Sequence, residues 1–262
     1  MKTQNPIKHK IIAFANQKGG VGKTTSAINV AACIAKIGYS VLVIDCDPQG
    51  NATSGLGIVK KNLSSSVYDI IIGKSTPNEV ILKTKIKNLS IIPSSIDLVG
   101  AEVELIEFER REYRLKDAIV SIKDDYDYII VDCPPSLGLI TINALNTATG
   151  IVVPLLCEFY SLEGLSQLTR TIRLIRQSQN PALELIGVII NMYDGRLNMS
   201  LQVMEQIKKY FPDKIINPPI PRNVKVSEAP SHGLPVIEYD KFSKGAIAYN
   251  LASNELILRT QR

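Results

Sequence analysis

The sequence "KIIAFANQKGGVGKTTSAINVAACIAKIG", residues 10–38, runs from a strand pattern through a glycine-rich loop into a helix pattern without interruption. Residues 10–16 predict a buried strand, and the following apolar periodicity predicts a helix that Gly38 ends. A glycine-rich turn between a strand and a helix lets backbone N–H groups wrap phosphate oxygens. The stretch therefore predicts an α/β domain that opens on a phosphate-binding loop.

The rest of the chain continues this alternation of strand and helix patterns. Near-continuous apolar runs predict further strands at residues 40–45, 89–94, 126–132, 150–156 and 183–191. Helical patterns are centred near residues 97–108, 113–123, 139–148, 161–179 and 198–211, and a last helix begins at Ser243. Apolar runs of this kind are typical of a parallel sheet that is covered on both faces.

We therefore predict a doubly wound, mostly parallel sheet flanked by helices, like that of P-loop NTPases, in a single domain. The domain is expected to span residues 10–262 after a short extension, residues 1–9. The segment 50–88 is polar and holds only short apolar pieces, so it is expected to run over the surface.

Composition narrows the class of protein. The chain has 262 residues, a formal net charge of +5 and a pI of about 8.9, which permits an acidic partner without requiring one. The cysteines are scattered without C-x-x-C spacing, which indicates reduced structural thiols in a cytosolic protein: Cys33, Cys46, Cys133 and Cys157. The N-terminus does not resemble a signal peptide, and no apolar run approaches the ~18 residues of a membrane span.

The loop carries the residue types that a nucleoside triphosphate requires. Lys23 is placed to reach the β- and γ-phosphates, Thr24 to coordinate Mg²⁺ and Thr25 to contact the α-phosphate. The backbone cradle is Gly19, Gly20, Val21 and Gly22. Gln17 stands where the standard phosphate-loop pattern has glycine, and Lys18 is a second lysine that this pattern does not need.

Acidic residues follow two of the predicted strands. Asp132 ends the run "IIVD", where a carboxylate can hold Mg²⁺ through a water molecule. Asp45 ends another strand and is expected near the same ion. Asp47 lies in an Asp-Pro turn, and beside a phosphate loop we expect it to orient the water that attacks the γ-phosphate.

Four motifs together resemble the ParA/Soj family of chromosome- and plasmid-partitioning ATPases: "KGGVGKTT", "DCDPQGNATSGLG", "VDCPPSLG" and "IPRNVKVSEAPSHGLP", spread over residues 18–235. The first marks the wider deviant-Walker superfamily, whereas the second and fourth are more specific to ParA/Soj. The resemblance implies an ATPase that uses ATP and Mg²⁺. It also implies that Lys18 reaches the partner's phosphates across a nucleotide sandwich dimer, where a cation supplied in trans would stabilise phosphoryl transfer.

The resemblance also assigns residues outside the loop. It places Pro221 and Asn223 against adenine and makes Arg196 and Lys225 the DNA-binding cations. Asn191, at the end of a predicted strand, is positioned either to help at the base or only to end the strand. It is followed by "MYD" and not by the K-x-D of GTPases, which favours ATP.

The expected function is an ATP-switched partition ATPase of the cytoplasm and nucleoid. An ATP-bound homodimer holds double-stranded DNA without sequence preference, and a ParB-type centromere-binding partner triggers hydrolysis and release. The alternative is a membrane-cycling division-site ATPase that resembles MinD. Its basic amphipathic C-terminal anchor is not evident in "NLASNELILRTQR", which is more typical of a docking helix, so no stable membrane association is expected.

Overall fold

The strands pair into one sheet in the computed structural model, which describes residues 10–158 and 161–261. They are β1 (Lys10–Phe14), β2 (Val41–Asp45), β3 (Leu82–Lys83), β4 (Leu89–Ile92), β5 (Tyr128–Asp132), β6 (Gly150–Leu156), β7 (Glu184–Asn191) and β8 (Ile215–Ile216). The order across the eight-stranded sheet is β3-β4-β2-β5-β1-β6-β7-β8. All neighbours are parallel except β3 and β4. The predicted extension, residues 1–9, lies outside the described residues.

Helices follow the strands on both sides of the sheet. They are α1 (Lys23–Ile37), α2 (Asn51–Gly55), α3 (Val67–Ile71), α4 (Pro77–Val80), α5 (Leu98–Glu104), α6 (Arg114–Ala118), α7 (Leu139–Thr147), α8 (Ser161–Ser178), α9 (Asn198–Tyr210), α10 (Val224–Glu228), α11 (Val236–Tyr239) and α12 (Lys244–Thr260). This architecture confirms the predicted doubly wound α/β fold.

Two apolar cores flank the sheet because successive strand residues point to opposite faces. On β1, Ile11 and Ala13 join a core with α7, α8 and α9, whereas Ile12 and Phe14 join a core with α1 and α12. Each central strand is therefore buried on both sides, which explains its uninterrupted apolar sequence. Cys33, Cys46 and Cys133 are buried in these cores, and all four cysteines are free thiols.

The expectation that segment 50–88 runs over the surface is wrong. Val67, Ile70 and Ile71 of α3 and Val80 of α4 are buried in one of the two cores. Helix α3 is capped by Ser66, whose hydroxyl accepts from the Tyr68 N–H at 3.3 Å. The helices in this segment have five residues or fewer, so the sequence shows no extended periodicity.

The C-terminal helix is packed against the body of the protein. The hydroxyl of Ser243 accepts from the Ala246 N–H at 3.2 Å and caps α12, as the sequence predicted. Ala252 and Leu256 of α12 are buried together with residues of α1. In the part of the chain that the structure describes, none of the helices combines the length and apolarity needed to cross a membrane.

Candidate nucleotide site

The site lies where the carboxyl ends of three neighbouring strands meet. Asp132 at the end of β5 is in register with Asp45 of β2 on one side and with Phe14 of β1 on the other. The glycine loop leaves β1 at this edge and enters α1. Parallel strands therefore bring the loop together with Asp45 and with the far more distant Asp132, at the usual ligand edge of such sheets.

The loop has the backbone that its glycines predict. Gly20 and Gly22 have φ of 74° and 84°, a left-handed conformation that favours glycine. A Cβ on Gly22 would lie 2.7 Å from Asn191 Nδ2, so a side chain there would also collide with β7. The Lys23 ammonium is buried and donates to the Lys18 carbonyl at 3.1 Å, which folds the loop around it.

A cleft of about 610 Å³ opens in front of the loop. The predicted phosphate-binding residues Gly19, Gly20, Gly22, Lys23, Thr24 and Thr25 line it together with Asp47. Val21 is buried behind the loop. Burial lowers the pKa of the Lys23 ammonium, and the nearby carboxylates of Asp132 and Asp47 oppose that shift. The cleft thus presents one buried cation and backbone N–H groups, which suit a polyphosphate.

Asp132 has an unusual environment for a carboxylate. The residue is fully buried, and neither carboxylate oxygen has a hydrogen-bond partner of normal geometry among the described residues. Burial, followed by repulsion from Asp45, raises the pKa of Asp132 well above its usual value. The Thr24 hydroxyl and the Lys23 ammonium lie close enough to oppose this shift. A buried carboxylate without a partner calls for a missing ligand such as a hydrated cation.

These groups fit Mg²⁺. The ion prefers oxygen ligands, keeps several water molecules, and is usually held by one or two carboxylates plus phosphates. Asp132 and Thr24 offer such oxygens beside the cleft. Within residues 10–158 and 161–261, no cluster of three or more His, Cys, Asp or Glu residues forms a complete metal cage.

Asp45 is buried but, unlike Asp132, fully engaged. One oxygen accepts from the Thr53 N–H at 2.8 Å and the Thr53 hydroxyl at 2.7 Å, and the other accepts from the Asp47 N–H at 3.2 Å. Burial raises its pKa to about 6 in spite of these bonds. Thr53, which the sequence analysis missed, carries no local signal for this contact with a strand end eight residues earlier.

Asp47 faces the cleft from the turn after β2. One carboxylate oxygen accepts from the Gln49 N–H at 2.9 Å, and the residue is almost completely buried. The chain leaves strand geometry here, as Pro48 and Gly50 predict, and Gly50 has φ of 61°. Asp47 is therefore held in place next to the loop, where it is one of the residues that line the cleft.

Lys18 is directed away from this cleft. Its ammonium forms an ion pair with Glu158 on the outer side of the loop, where both side chains are about half exposed. The Asn16 side chain holds the start of the loop, because its Oδ1 accepts from the Lys18 N–H at 3.0 Å and its Nδ2 donates to the Pro154 carbonyl at 2.7 Å. Asn16 is a second supporting residue that sequence reasoning missed.

The three predicted base-recognition residues meet in a second cavity of about 270 Å³, which adjoins the cleft: Asn191, Pro221 and Asn223. Gly22, Thr25 and Met192 line both spaces. Asn191, however, also supports the loop, since its Nδ2 donates to the Val21 carbonyl at 2.8 Å and to the Ser26 hydroxyl at 3.0 Å. Asn223 Oδ1 accepts from the Val226 N–H at 3.3 Å and caps α10.

The predicted DNA-binding cations are not among the described residues that line the cleft. Arg196 has a side chain that is 90% exposed and forms an ion pair with Asp194 at 2.7 Å. Lys225 pairs with Glu228 at 2.9 Å and lies 5.5 Å from the centre of the Tyr239 ring. Both cations are on the surface, each beside one acid.

Comparison with known proteins agrees with this site. A family model described as an AAA domain matches residues 9–185. The chain is 54% identical to the sporulation initiation inhibitor protein Soj of Bacillus subtilis over 92% of this chain and 95% of that protein. It is 48% identical to the chromosome partitioning protein ParA of Myxococcus xanthus over 95% of this chain and 88% of that protein.

A solved structure named cobyrinic acid a,c-diamide synthase, from Mycobacterium smegmatis, superposes with a TM-score of 0.81 and 37% identity. The match covers 92% of this chain and 91% of that one, which has been solved with bound ADP and magnesium and with an ATP analogue and magnesium. The family model, the two relatives and the loop with its strand-end acids lead to one assignment: this chain belongs to the ParA/Soj family of chromosome-partitioning ATPases.

Proposed function

We propose that the cleft binds ATP with Mg²⁺ and that the adjoining cavity takes the adenine. The observation that carries this proposal is the buried Asp132 carboxylate, which has no hydrogen-bond partner among the described residues and lies beside Lys23 and Thr24. Thr24 and Asp132 would hold the ion, with Asp45 close to it. Bound there, the ion would supply positive charge to neutralise the phosphates.

Each loop residue has a defined task in this proposal. The loop N–H groups and Lys23 hold the phosphates, and Thr25 contacts the α-phosphate. Asp47 orients the attacking water, since the residue lines the cleft and the Gln49 N–H fixes its carboxylate. Pro221 and Asn223 contact the base from the wall of the second cavity, and Asn191 adds a contact while it supports the loop.

Lys18 acts in trans in the proposed cycle. Its ammonium lies outside the cleft in a half-exposed ion pair with Glu158, and a pair of this kind is weak enough to be exchanged for the phosphates of a second subunit. A Cβ at Gly19 would have nothing within 4 Å, so the subunit itself has room for a side chain there, and we expect that side chain to obstruct a second subunit. The active site of a lone subunit would therefore lack this lysine, and binding of ATP would favour the homodimer that supplies it.

The dimer would then hold DNA on the nucleoid without sequence preference, through Arg196 and Lys225 of both subunits. A ParB-type partner would stimulate hydrolysis and return the protein to monomers. Dimerisation would double the number of contacts with DNA phosphates and so raise the affinity for DNA. ATP binding would therefore switch DNA binding on, and hydrolysis would switch it off.

The test uses variants that separate hydrolysis from dimerisation. Asp47→Ala should retain ATP and Mg²⁺ binding, lose hydrolysis and accumulate an ATP-dependent dimer in size-exclusion chromatography. Adding Lys18→Ala or Gly19→Val should restore the monomer while ATP still binds. Lys208→Ala, on the exposed side of α9, is the matched control. Normal turnover in Asp47→Ala, or a normal dimer in the Lys18→Ala double variant, would refute the assigned roles.

A further inference from the structure

Helix α5 carries an exposed apolar stripe. Ile96, Val99, Val103 and Ile106 are 69%, 57%, 70% and 60% exposed, respectively. Their spacing of three, four and three residues is that of one helical face, which runs from Ile96 in the turn before α5, across Val99 and Val103 of the helix, to Ile106 in the 3-10 turn that follows it, Leu105–Glu107. Single exposed apolar residues are ordinary, whereas four in one row mark an interaction surface.

The fold does not need this stripe. Leu98, Ala101 and Leu105, on the other side of the same helix, are buried and anchor α5 in the core. The helix therefore has two apolar faces, of which one is packed and one is open. A helix that is apolar on both faces usually packs on both.

The segment that carries the stripe is charged with one sign, and a cation just beyond it, Arg111, donates to the Ile106 carbonyl at 3.1 Å and pairs with Glu112. Residues 94–109, "SSIDLVGAEVELIEFE", contain five acids and no lysine or arginine, although the chain carries a net charge of +5: Asp97, Glu102, Glu104, Glu107 and Glu109. None of the five forms an ion pair with a Lys or Arg in residues 10–158 and 161–261. Two of them accept hydrogen bonds from uncharged groups. Glu104 accepts one from the Tyr68 hydroxyl at 2.9 Å, and Asp97 accepts one from the Ser95 hydroxyl at 3.1 Å.

The same element is joined to the nucleotide site at both ends. Ser94, just before α5, donates its N–H at 3.0 Å to the Thr53 hydroxyl, which itself donates to Asp45. Glu102 packs against Gly138 at the start of α7, where an added Cβ would lie 2.0 Å from the Glu102 carboxylate. A molecule that moves α5 would therefore act on the loops that follow Asp45 and Asp132.

We propose that this α5 surface, formed by the four apolar residues and the five acids, is a docking surface for a basic amphipathic segment of a partner protein. The α-helical part of the stripe, Leu98–Glu104, is about 10 Å long at 1.5 Å per residue, and with the turns on either side about three helical turns of a partner would cover the stripe. Apolar residues of the segment would lie along the stripe, as in other helix-in-groove complexes, and its lysines or arginines would pair with the flanking acids.

A second copy of this chain is a poor occupant. In a two-fold contact the same surface meets itself, so five acids of one copy would face five of the other. Like charges brought together in this way oppose association. The inference goes beyond the proposed ATP cycle, because docking at α5 can be measured without nucleotide or DNA.

The test uses three synthetic fifteen-residue peptides and the full chain. The first peptide has leucines at heptad spacing among lysines and arginines, the second has the same composition in scrambled order, and the third has glutamates in place of the basic residues. Fluorescence anisotropy should show salt-sensitive binding of the first peptide and affinities lower by about tenfold or more for the others.

Two double variants locate the site. Val99→Ser/Val103→Ser should weaken binding of the first peptide by about tenfold, whereas Ile247→Ser/Leu251→Ser, on an exposed face of α12, should leave it unchanged. Basal ATP hydrolysis should match wild type in both, which shows that neither has damaged the catalytic loops. A wild type without ATPase activity would refute the proposed function and leave the peptide result intact.

Three outcomes would overturn the inference: equal affinity for the acidic peptide, unchanged binding in the α5 variant, or equal loss in the α12 control. A change in the monomer–dimer equilibrium of Val99→Ser/Val103→Ser, measured by sedimentation velocity, would assign the surface to a second copy and overturn it as well.

Discussion

At the scale of single residues, the structure separates two buried aspartates that the sequence presents alike. Asp45 and Asp132 both end strands at the ligand edge and are paired in register. Asp45 accepts three hydrogen bonds, whereas Asp132 accepts none of normal geometry from the described residues. Asp45 is thus stabilised by the protein itself, and Asp132 is left for a ligand.

The first prediction concerns stability without nucleotide. The pKa of Asp132 in the folded state lies above its unfolded value, so its stabilising contribution is present at low pH and is lost as pH rises through the folded pKa. Asp132→Asn removes a buried charge that has no hydrogen-bond partner among the described residues. Burying such a group lowers the free energy of unfolding by about 1–3 kcal/mol. The variant should therefore melt several degrees above wild type at pH 8 and show a smaller difference at pH 5.

Differential scanning calorimetry measures this difference, with Glu205→Gln on exposed α9 as the neutralised control. The same Asp132→Asn variant should bind ATP more weakly than wild type in Mg²⁺ and equally in EDTA. A lower melting temperature than wild type at pH 8 would contradict the account of Asp132 as an unpartnered carboxylate.

The second prediction separates loop support by Asn191, which the structure shows, from its proposed contact with the base. The Asn191 amide donates to the Val21 carbonyl and to the Ser26 hydroxyl. Asn191→Ala should therefore loosen the loop and lower the affinity for every phosphate ligand by about tenfold. Titration calorimetry should find equal losses for ATP, GTP and inorganic triphosphate. Asn223→Ser keeps an oxygen that can cap α10, so this variant should lower the affinity for ATP and leave the affinities for GTP and inorganic triphosphate unchanged. A loss confined to ATP in Asn191→Ala would make base recognition its main role.

At the scale of elements, the wall of the second cavity, where we propose that the base binds, depends on the contact between two helices. α10 carries Asn223 at its N-cap and Lys225 in its first turn, and the start of α12 packs against it through Gly245. A Cβ on Gly245 would lie 2.3 Å from Val226 Cγ2 and 3.3 Å from Asn223 Oδ1. The absence of a side chain at Gly245 thus sets the position of α10.

The third prediction follows from this contact. Replacing glycine by alanine inside a helix normally stabilises by about 0.5–1 kcal/mol. At Gly245 the collision with α10 should outweigh this gain, at a cost of about 1–3 kcal/mol, and ATP affinity should fall as the cavity wall moves. Gly164→Ala in α8, where a Cβ meets nothing within 4 Å, should instead stabilise the protein. Urea denaturation compares the two variants, and stabilisation by Gly245→Ala would refute the argument.

At the scale of the whole molecule, surface cations are partly neutralised by their own neighbours. Hydrogen bonds from Arg196 lower the pKa of Asp194 to about 2, so this acid stays charged beside the proposed DNA contact. Glu228 likewise forms an ion pair with Lys225, the other proposed DNA contact. Exposed ion pairs of this kind are weak, so a DNA phosphate can displace the acid.

The fourth prediction uses this neutralisation. Asp194→Asn should tighten ATP-dependent DNA binding, because Arg196 no longer has an acidic neighbour, whereas Arg196→Ala or Lys225→Ala should weaken it. Each alanine variant should flatten the log–log salt dependence by roughly 2 per dimer. Asp117→Asn releases Arg110 elsewhere on the surface and is the matched control. Equal affinity in the ATP and ADP states, or unchanged slopes in both alanine variants, would refute the assignment of these cations.

Local patterns determined much of this protein. The strand, loop and helix of residues 10–38, the strand-end acids and the doubly wound sheet are all predictable, because apolar periodicity and glycine conformation act over a few neighbouring residues. The two-residue strands β3 and β8 were not predictable, since they are too short to show a period. Family motifs added residues that periodicity cannot assign, such as Pro221 and Asn223.

Only the tertiary structure decided which of these residues form hydrogen bonds with distant parts of the chain, and which are buried or exposed. The bonds from Asn191 to Val21 and from Asn16 to Pro154 join residues 170 and 138 positions apart, and no local pattern reports such a contact. The burial of Val67 and Val80 and the open face of α5 have the same origin. An apolar residue is buried or exposed according to what packs over it, and that depends on how distant segments assemble.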